Sequence, residues 1–404
     1  MLGPTFGTGL WSVYQNEDHP AILHILSLKP LWSGNCLSAG RHHYMGPTEE
    51  ALMDYRIALI PGDGIGPEVV DANIPILERL ADQYSFSVHL ERFDWGSERY
   101  LSQGNMFPDA APAMLESFDA IFHGAMGDPR VPDHISSRQG HHRIREAFDQ
   151  YMNIRPGYLF NPDLSPLRGY EAGDIDIQWY RENTEGEYTN MGGRMNRGGS
   201  TELAIQSAIY TRSGIDRILR AAFEAAQERS GRVSSITKSN VLSHGLVFWD
   251  EMVQEVSQSY PDVDVEELHV DAAALALVER PESFDVIVAP NLFSDILTDQ
   301  VAGIIGGLGM APSANLNPDK DVPGMFEPVH GSAPDIAGEG LANPIAAALS
   351  MELLLRDLNE IEAAEKLWRV ITEQLSDSDA PRTPDLRGDA GTEDVCADLL
   401  HRLA

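Results

Sequence analysis

The chain has 404 residues, 43% hydrophobic and 8% aromatic, which suits one large domain or two interlocked ones and excludes a wholly disordered polymer. Against 29 basic residues stand 62 acidic ones, and the formal net charge of -33 repels nucleic acid and anionic membranes and calls for counter-ions around the compact state. Among the basic residues only Lys29, Lys238, Lys320 and Lys366 are lysines, and this acidic, arginine-favouring balance reads as adaptation to high salt, with a merely acidic mesophilic enzyme as the competing reading.

The first fifty or so residues mix Gly, Pro, His and Trp without period, so residues 1–53 are expected to form a poorly ordered N-terminal extension. Within them the apolar stretch 21–32 is broken by His24, Lys29 and Pro30; it is too short to span a bilayer and lacks the basic start of a signal peptide. Cys36 and Cys396 lie far apart, and the absence of a CxxC or His/Cys cluster argues against zinc and for a reducing, cytoplasmic setting. Order is expected from residues 55–60, an apolar run that reads as a buried strand, followed by Pro61-Gly62-Asp63-Gly64-Ile65-Gly66-Pro67 and a helix from Glu68. Strand signals recur at 118–122, 175–180, 233–236 and 284–289. Helical patterns separate several of them, as with Ile215, Ile218, Leu219, Ala222, Phe223 and Ala226 after Ser213. The alternation predicts an α/β architecture with a largely parallel sheet. The glycine-rich turn is not spaced as GxGxxG, and no acidic residue ends a second strand about twenty residues on. A tight turn feeding a helix and direct phosphate binding both remain open for it.

Three groups of residues carry chemistry. Asn291-Leu292-Phe293-Ser294-Asp295-Ile296-Leu297-Thr298-Asp299 places two carboxylates at i and i+4 on one helix face, a like-charge spacing that costs an isolated helix roughly 0.2–0.5 kcal/mol. A divalent cation would turn that cost into a ligand pair, and with Asp271 the set suits Mg²⁺ or Mn²⁺; a solvated acidic face is the alternative. Arg145, Arg155 and Arg181 are candidates for bidentate carboxylate binding, or else surface ion pairs. Lys238, the one lysine between Lys29 and Lys320, sits in Ser234-Ser235-Ile236-Thr237-Lys238-Ser239-Asn240, where a strand gives way to a helix. An amine, unlike a guanidinium, can lose its proton and serve as a base; a structural salt bridge is the other reading.

From about Arg56 to the C-terminus the chain resembles the β-decarboxylating hydroxyacid dehydrogenases, the isocitrate/isopropylmalate dehydrogenase family. The resemblance rests on the glycine-rich turn, Arg181-Glu182-Asn183-Thr184-Glu185-Gly186, Thr237-Lys238-Ser239-Asn240, the 291–299 segment and Glu327-Pro328-Val329-His330-Gly331-Ser332-Ala333-Pro334-Asp335-Ile336-Ala337-Gly338, in the family's order. Val131-Pro132-Asp133-His134, Phe148-Asp149-Gln150-Tyr151 and Ala311-Pro312-Ser313-Ala314-Asn315-Leu316-Asn317-Pro318 look most like the tartrate and D-malate branch. The resemblance implies an isopropylmalate-dehydrogenase-like fold: two α/β domains share a twisted sheet, with residues 54–152 and 303–404 in the first and 153–302, including a dimerisation arm near 187–201, in the second. It implies a homodimer with shared sites in which the other subunit's copy of Lys238 is the base, Tyr188 the acid, and Asp295, Asp299 and the other subunit's copy of Asp271 the metal ligands. Arg145, Arg155 and Arg181 would hold substrate carboxylates. Glu327, His330, Gly331, Ser332, Ala333, Asp335 and Asn343 would form a non-Rossmann cofactor site, where Asp335 favours NAD over NADP by repelling an added phosphate.

The chain departs from its relatives at Ile135-Ser136-Ser137-Arg138-Gln139-Gly140-His141-His142-Arg143, where the tartrate and D-malate enzymes commonly carry an apolar run. Gln139 and His141 make a poor pocket for a branched hydrocarbon and predict a small or polar substituent on substrate C3, unless the histidines face solvent. The expected function is NAD- and metal-dependent oxidative decarboxylation of a 2-hydroxy dicarboxylic acid. The alternatives are 3-isopropylmalate dehydrogenase and a non-catalytic regulatory homologue, which the presence of Lys238, Tyr188 and all three aspartates disfavours.

Overall fold

The structure is a computed structural model and describes residues 53–404. The expectations for the N-terminal extension and for Cys36 therefore lie outside the described residues, except that Met53, assigned to the extension, already belongs to the first strand. The strands are β1 (Met53–Gly62), β2 (Phe86–Arg92), β3 (Ala120–Ala125), β4 (Met152–Tyr158), β5 (Asp176–Glu182), β6 (Gly192–Met195), β7 (Leu203–Gln206), β8 (Arg232–Thr237), β9 (Asp264–His269), β10 (Val286–Ala289), β11 (Pro312–Leu316) and β12 (Gly324–Pro328). All but β6 and β7 join one ten-stranded sheet in the order β2-β1-β3-β12-β11-β4-β5-β10-β8-β9.

The expected parallel pairing holds on both flanks and fails in the middle. From β2 to β12 and from β5 to β9 every neighbour is parallel, whereas β12-β11, β11-β4 and β4-β5 are antiparallel. The reason is connectivity: β11 and β12 are joined by a short loop, and β4 and β5 by a segment whose one regular element is a single 3-10 turn, Pro162–Leu164, so no helix crosses over to make either pair parallel. Central strands such as β3 and β10 are buried along their whole length because helices cover both faces, which is why their sequences are apolar runs and do not alternate.

The helix Arg212–Glu228 buries the predicted face, Ile215, Ile218, Leu219, Ala222, Phe223 and Ala226. Its start is fixed by Thr211, whose hydroxyl accepts the Gly214 N–H at 3.0 Å, a cap worth about 1 kcal/mol. The glycine-rich turn ending β1 is held by Asp63 and by a contact with a distant loop. Asp63 accepts hydrogen bonds from Ser97 N, Ser97 Oγ and Gly127 N at 2.8, 2.7 and 2.9 Å. Ile65 N donates to the Ser332 carbonyl at 2.9 Å. Gly64 has φ +57°, and a Cβ there would fall 1.9 Å from that same carbonyl oxygen. The turn thus clamps the loop after β12, residues 329–335, in place.

The hairpin β6–β7 stands apart from the sheet and exposes Met191, Met195, Leu203 and Ile205. A lone two-stranded hairpin is marginal in water. It overlaps the expected arm and extends beyond it to Gln206. Among the described residues no helix is long and apolar enough to cross a membrane.

Candidate active site

The antiparallel register of β4 and β5 sets Asn153 opposite Arg181 and Arg155 opposite Trp179, and the parallel register of β5 and β10 sets Arg181 beside Ala289. The helix Asn291–Ile305 starts immediately after β10, so its first turns meet both arginines at the carboxyl end of the strand, a usual location for ligand sites in α/β sheets. Arg181 is 1% exposed; its Nε and Nη2 donate to Asn291 Oδ1 at 3.0 and 2.7 Å, and its Nη1 pairs with Asp295. Arg155 donates to Asn153 Oδ1 at 3.0 Å, to Thr298 Oγ1 at 2.7 Å and to Asp295 Oδ1 at 3.5 Å, and lies 3.9 Å from Asp299. The surface-ion-pair alternative fails for these residues, since Arg145, Arg155 and Arg181 are all buried.

Charge is balanced unevenly here. Burial opposes ionisation of Asp295, but Arg181 and Arg155 outweigh it and hold the carboxyl well below its ordinary range. Asp299 is shifted upward, by burial first and also by the charge of Asp295. Burial, reinforced by Arg181, pushes Arg155 down to about 10. Tyr188 donates its hydroxyl to Asp295 Oδ2 at 2.6 Å and lies under the Arg181 guanidinium, 5.3 Å from the ring centroid. Burial and the Asp295 charge push this phenol up to about 12, so it holds its proton at neutral pH.

Arg145 projects from the helix His141–Phe148 and donates through Nη2 to Glu327 Oε1 at 2.6 Å, with both side chains nearly fully buried. Its Nε has no partner. Glu327, expected on the cofactor side, is thus the counter-ion of an expected substrate arginine. It also accepts from Asn315 Nδ2 at 2.9 Å and lies 3.1 Å from His123 Nδ1. Burial disfavours its charge, yet Arg145 keeps it well below its ordinary value.

His141 and His142 are half-buried and pack against the rings of this site. Ring centroids run from His123 to His141 at 6.1 Å, to His142 at 4.6 Å and to Tyr188 at 5.7 Å. Burial and Arg145 push His141 down to about 3, and burial with His141 pushes His142 the same way. Sequence reasoning did not single out His123 or Arg138, which donates to the Tyr188 carbonyl. The position of His123 near the carboxyl end of a predicted strand was the available signal.

Lys238 and Asp271 form an ion pair with each other. Lys238 does not open a helix as expected: β8 ends at Thr237, a turn follows in which the Lys238 carbonyl accepts from Val241 N and Leu242 N, and the next helix begins at Gly245. Among the described residues no hydrogen bond or ion pair joins Lys238 or Asp271 to Asp295, Asp299 or Tyr188, and no group of three or more His, Cys, Asp or Glu on one chain is placed to hold a metal. The three-aspartate set is therefore not assembled within a single chain.

On the expected cofactor loop, His330 Nε2 is buried without a partner, Gly331 has open space where a side chain would stand, and Asp335 is exposed. Ser332 lends its carbonyl to Ile65, and Ala333 takes φ +38°, a left-handed conformation that a non-glycine residue rarely adopts. Asn343 differs from expectation in having its amide committed internally: Nδ2 donates to Asp385 at 2.9 Å and Oδ1 accepts from Ile345 N at 3.0 Å.

The family model for isocitrate/isopropylmalate dehydrogenase matches residues 56–400, and the chain belongs to that family. It is 45% identical to the decarboxylating D-malate dehydrogenase of Escherichia coli (strain K12) over 354 residues, 86% of this chain and 98% of that protein. It is 43% identical to the 3-isopropylmalate dehydrogenase of Thermobifida fusca (strain YX) over 80% of this chain and 91% of that one. The crystal structure of isocitrate dehydrogenase from Methylococcus capsulatus superposes with a TM-score of 0.78 at 32% identity, covering 86% of this chain and 99% of the other.

Proposed function

We propose that the chain is an oxidoreductase that oxidatively decarboxylates a 2-hydroxy dicarboxylic acid of the D-malate or tartrate type, with NAD as oxidant and Mg²⁺ or Mn²⁺ as Lewis acid. The observation that carries this reading is the junction at Asp295, where two buried guanidiniums and a protonated phenol converge on a carboxylate whose i+4 neighbour is a second one. Such a junction suits a substrate bearing carboxylates, held by arginines next to a hard cation.

The residues fit both absent groups. Asp295 and Asp299 supply only oxygen donors, one turn apart on the same helix, and Asp295 is held below its ordinary range by Arg181 and Arg155. The unpartnered His330 Nε2, the open space at Gly331 and the exposed carboxylate of Asp335 with no Lys or Arg immediately after it suit an adenosine carrying a free ribose 2'-hydroxyl. When bound, the nicotinamide would accept the hydride and the cation would polarise the substrate oxygens.

The chain's own residues do the rest. Arg145, Arg155 and Arg181 hold the substrate carboxylates, the first through the face not taken by Glu327. Lys238 removes the proton of the C2 hydroxyl. Tyr188 donates a proton to the carbon that carbon dioxide has left. Lys238 and Asp271 are taken to come as a pair from a second copy of the chain, clasped by the exposed β6–β7 hairpin, so that the working enzyme is a cytoplasmic homodimer. Residues 54–152 with 303–404 would form one domain and 153–302 the other.

The 3-isopropylmalate alternative keeps all of this chemistry, but His141 and His142 line the pocket with imidazole where a branched alkyl group would need hydrocarbon. Two outcomes test the reading. Dialysis against a chelator removes D-malate or tartrate oxidation, followed as NADH absorbance, and Mg²⁺ or Mn²⁺ restores it; full activity in chelator refutes the metal assignment. Because the net charge of -33 repels itself most in dilute buffer, the melting temperature and activity rise with KCl up to molar concentrations, and a flat response refutes salt adaptation.

A further inference from the structure

Three buried asparagines, Asn153, Asn183 and Asn315, lie between Arg145 and Arg155. The register sets Asn315 on β11 opposite Asn153 on β4 and opposite Met325 on β12, between the strand that carries Arg155 and the strand that carries Glu327. Arg155 Nε donates to Asn153 Oδ1 at 3.0 Å, and Asn153 Nδ2 donates in turn to Asn315 Oδ1 at 3.0 Å. From the other side Arg145 Nη1 donates to Asn183 Oδ1 at 3.4 Å, and Asn183 Nδ2 donates to the same Asn315 oxygen at 3.0 Å. Asn315 Nδ2 donates to the Met325 carbonyl at 3.1 Å and to Glu327 Oε1 at 2.9 Å, the oxygen that also accepts from Arg145 at 2.6 Å. The Asn315 carboxamide thus makes all four hydrogen bonds open to it, two as acceptor and two as donor.

The direction of each bond follows from the ends of the chain. A guanidinium only donates and a carboxylate only accepts, so Arg155 turns the Asn153 oxygen toward itself and leaves the amide nitrogen for Asn315. Asn315 then offers its oxygen to Asn153 and its nitrogen to Glu327, and Asn183, whose oxygen faces Arg145, meets that same Asn315 oxygen with its nitrogen. Turning any one amide over sets donor against donor or acceptor against acceptor among buried side chains, where an unmade bond costs most. Fold stability alone does not call for such a network, since hydrocarbon of similar shape packs a strand interior without polar atoms to satisfy. What the amides add is a fixed orientation for two guanidiniums whose like charges repel one another.

We propose that Asn315, with Asn153 and Asn183 as its two arms, is a positioning element that holds the Arg145 and Arg155 guanidiniums at the spacing and orientation needed to grip the carboxylates of one substrate. The proposal rests on the reading of those arginines as substrate-binding. Asn315 is fully buried and acts through the arginines, not on the substrate. A shift of about 1 Å in such a grip lowers the rate by about 10²-fold.

The test compares full-length wild type, Asn315→Asp, Asn315→Leu and Asn183→Ala. It measures kcat and KM for D-malate and tartrate with NAD and Mn²⁺ across the pH range in which each protein is folded, the melting temperature, and calorimetric binding of malonate, a two-carboxylate probe that needs no turnover. Asn315→Asp keeps the shape and both accepted bonds; protonated it still donates to Glu327, and ionised it repels it. Burial and the Glu327 charge favour the protonated form. Its kcat is expected to fall by about 10²-fold at alkaline pH and to recover as the pH drops and the new carboxyl takes a proton, a profile that wild type lacks. Asn315→Leu shows the loss at every pH. Asn183→Ala removes one arm only, carries the test if an Asn315 variant does not fold, and is expected to bind malonate about tenfold more weakly. Folded variants with wild-type kcat, KM and malonate affinity, or an Asn315→Asp loss that is the same at every pH, overturn the positioning role and leave the diacid reading intact. A wild type that oxidises neither diacid but binds malonate, with the variants binding it more weakly, overturns the diacid reading and supports the network. A wild type that does neither overturns both.

Discussion

Lys238→Met lowers kcat for the preferred hydroxy diacid by about 10²–10⁴-fold, the range a positioned base contributes, while NAD affinity measured by calorimetry is unchanged. Methionine keeps the length and most of the volume of the side chain and removes the amine, so a loss of rate without a loss of melting temperature isolates the chemistry. Lys238→Arg is the informative companion: it retains the cation opposite Asp271 but cannot give up its proton at working pH, and it is expected to be as slow as the methionine variant. An arginine variant with near-wild-type turnover would reduce Lys238 to a structural ion pair. Because Lys238 and Asp271 are joined to each other and not to Asp295 within one chain, the proposed site needs two copies. Mixing Lys238→Met with Tyr188→Phe subunits, each inactive alone, should regain activity, since hybrid dimers hold one site with neither defect. No regain in a mixture shown to exchange subunits argues for sites contained within one chain.

Glu327→Ala produces the largest stability change expected at the site. Arg145 and Glu327 are 6% and 7% exposed in their side chains, and removing one member of a buried pair leaves the other charge uncompensated, a cost of about 3–5 kcal/mol. The substitution also strips an acceptor from Asn315 and the carboxylate beside His123. Glu327→Gln keeps an acceptor and should lose less. Denaturant titration at constant high salt measures both, and an alanine variant within about 1 kcal/mol of wild type would show that Arg145 finds another partner or water. The pH dependence has a definite sign. Glu327 titrates lower in the folded than in the unfolded state, so its contribution is complete above its ordinary value of 4.5 and is lost as the pH falls toward the depressed folded value. Wild type should therefore lose stability in acid through a component that Glu327→Ala lacks.

Much of the site was legible in the sequence because its chemistry is local. Asp295 and Asp299 share a helix face by spacing alone, and that helix and the buried strand before it appear where the apolar run and its polar sequel predicted. The antiparallel centre of the sheet was not legible, because strand direction depends on how the chain returns and not on the apolar content of the strand. Nor was the partner of Arg145. Glu327 stands 182 residues away and reads in sequence as part of a loop, and only the packing of β12 beside β3 brings it against both Arg145 and His123.

The sequence by itself determined which groups are available: a lone lysine among arginines, an i, i+4 aspartate pair, a tyrosine following an arginine strand, and a glycine-rich turn ending the first strand. These are properties of residue type and short spacing, and the helix and strand repeats convert spacing directly into a shared face. Tertiary structure alone decided which of them meet. It buried Arg155 and Arg181 against Asp295, packed His141 and His142 against the rings of His123 and Tyr188, committed Asn343 to Asp385, and kept Lys238 and Asp271 as a pair apart from the Asp295 junction. Charges carried by segments far apart in the chain interact only after folding has removed the water between them, so their partners are fixed by the register and packing of the sheet and not by the order of residues.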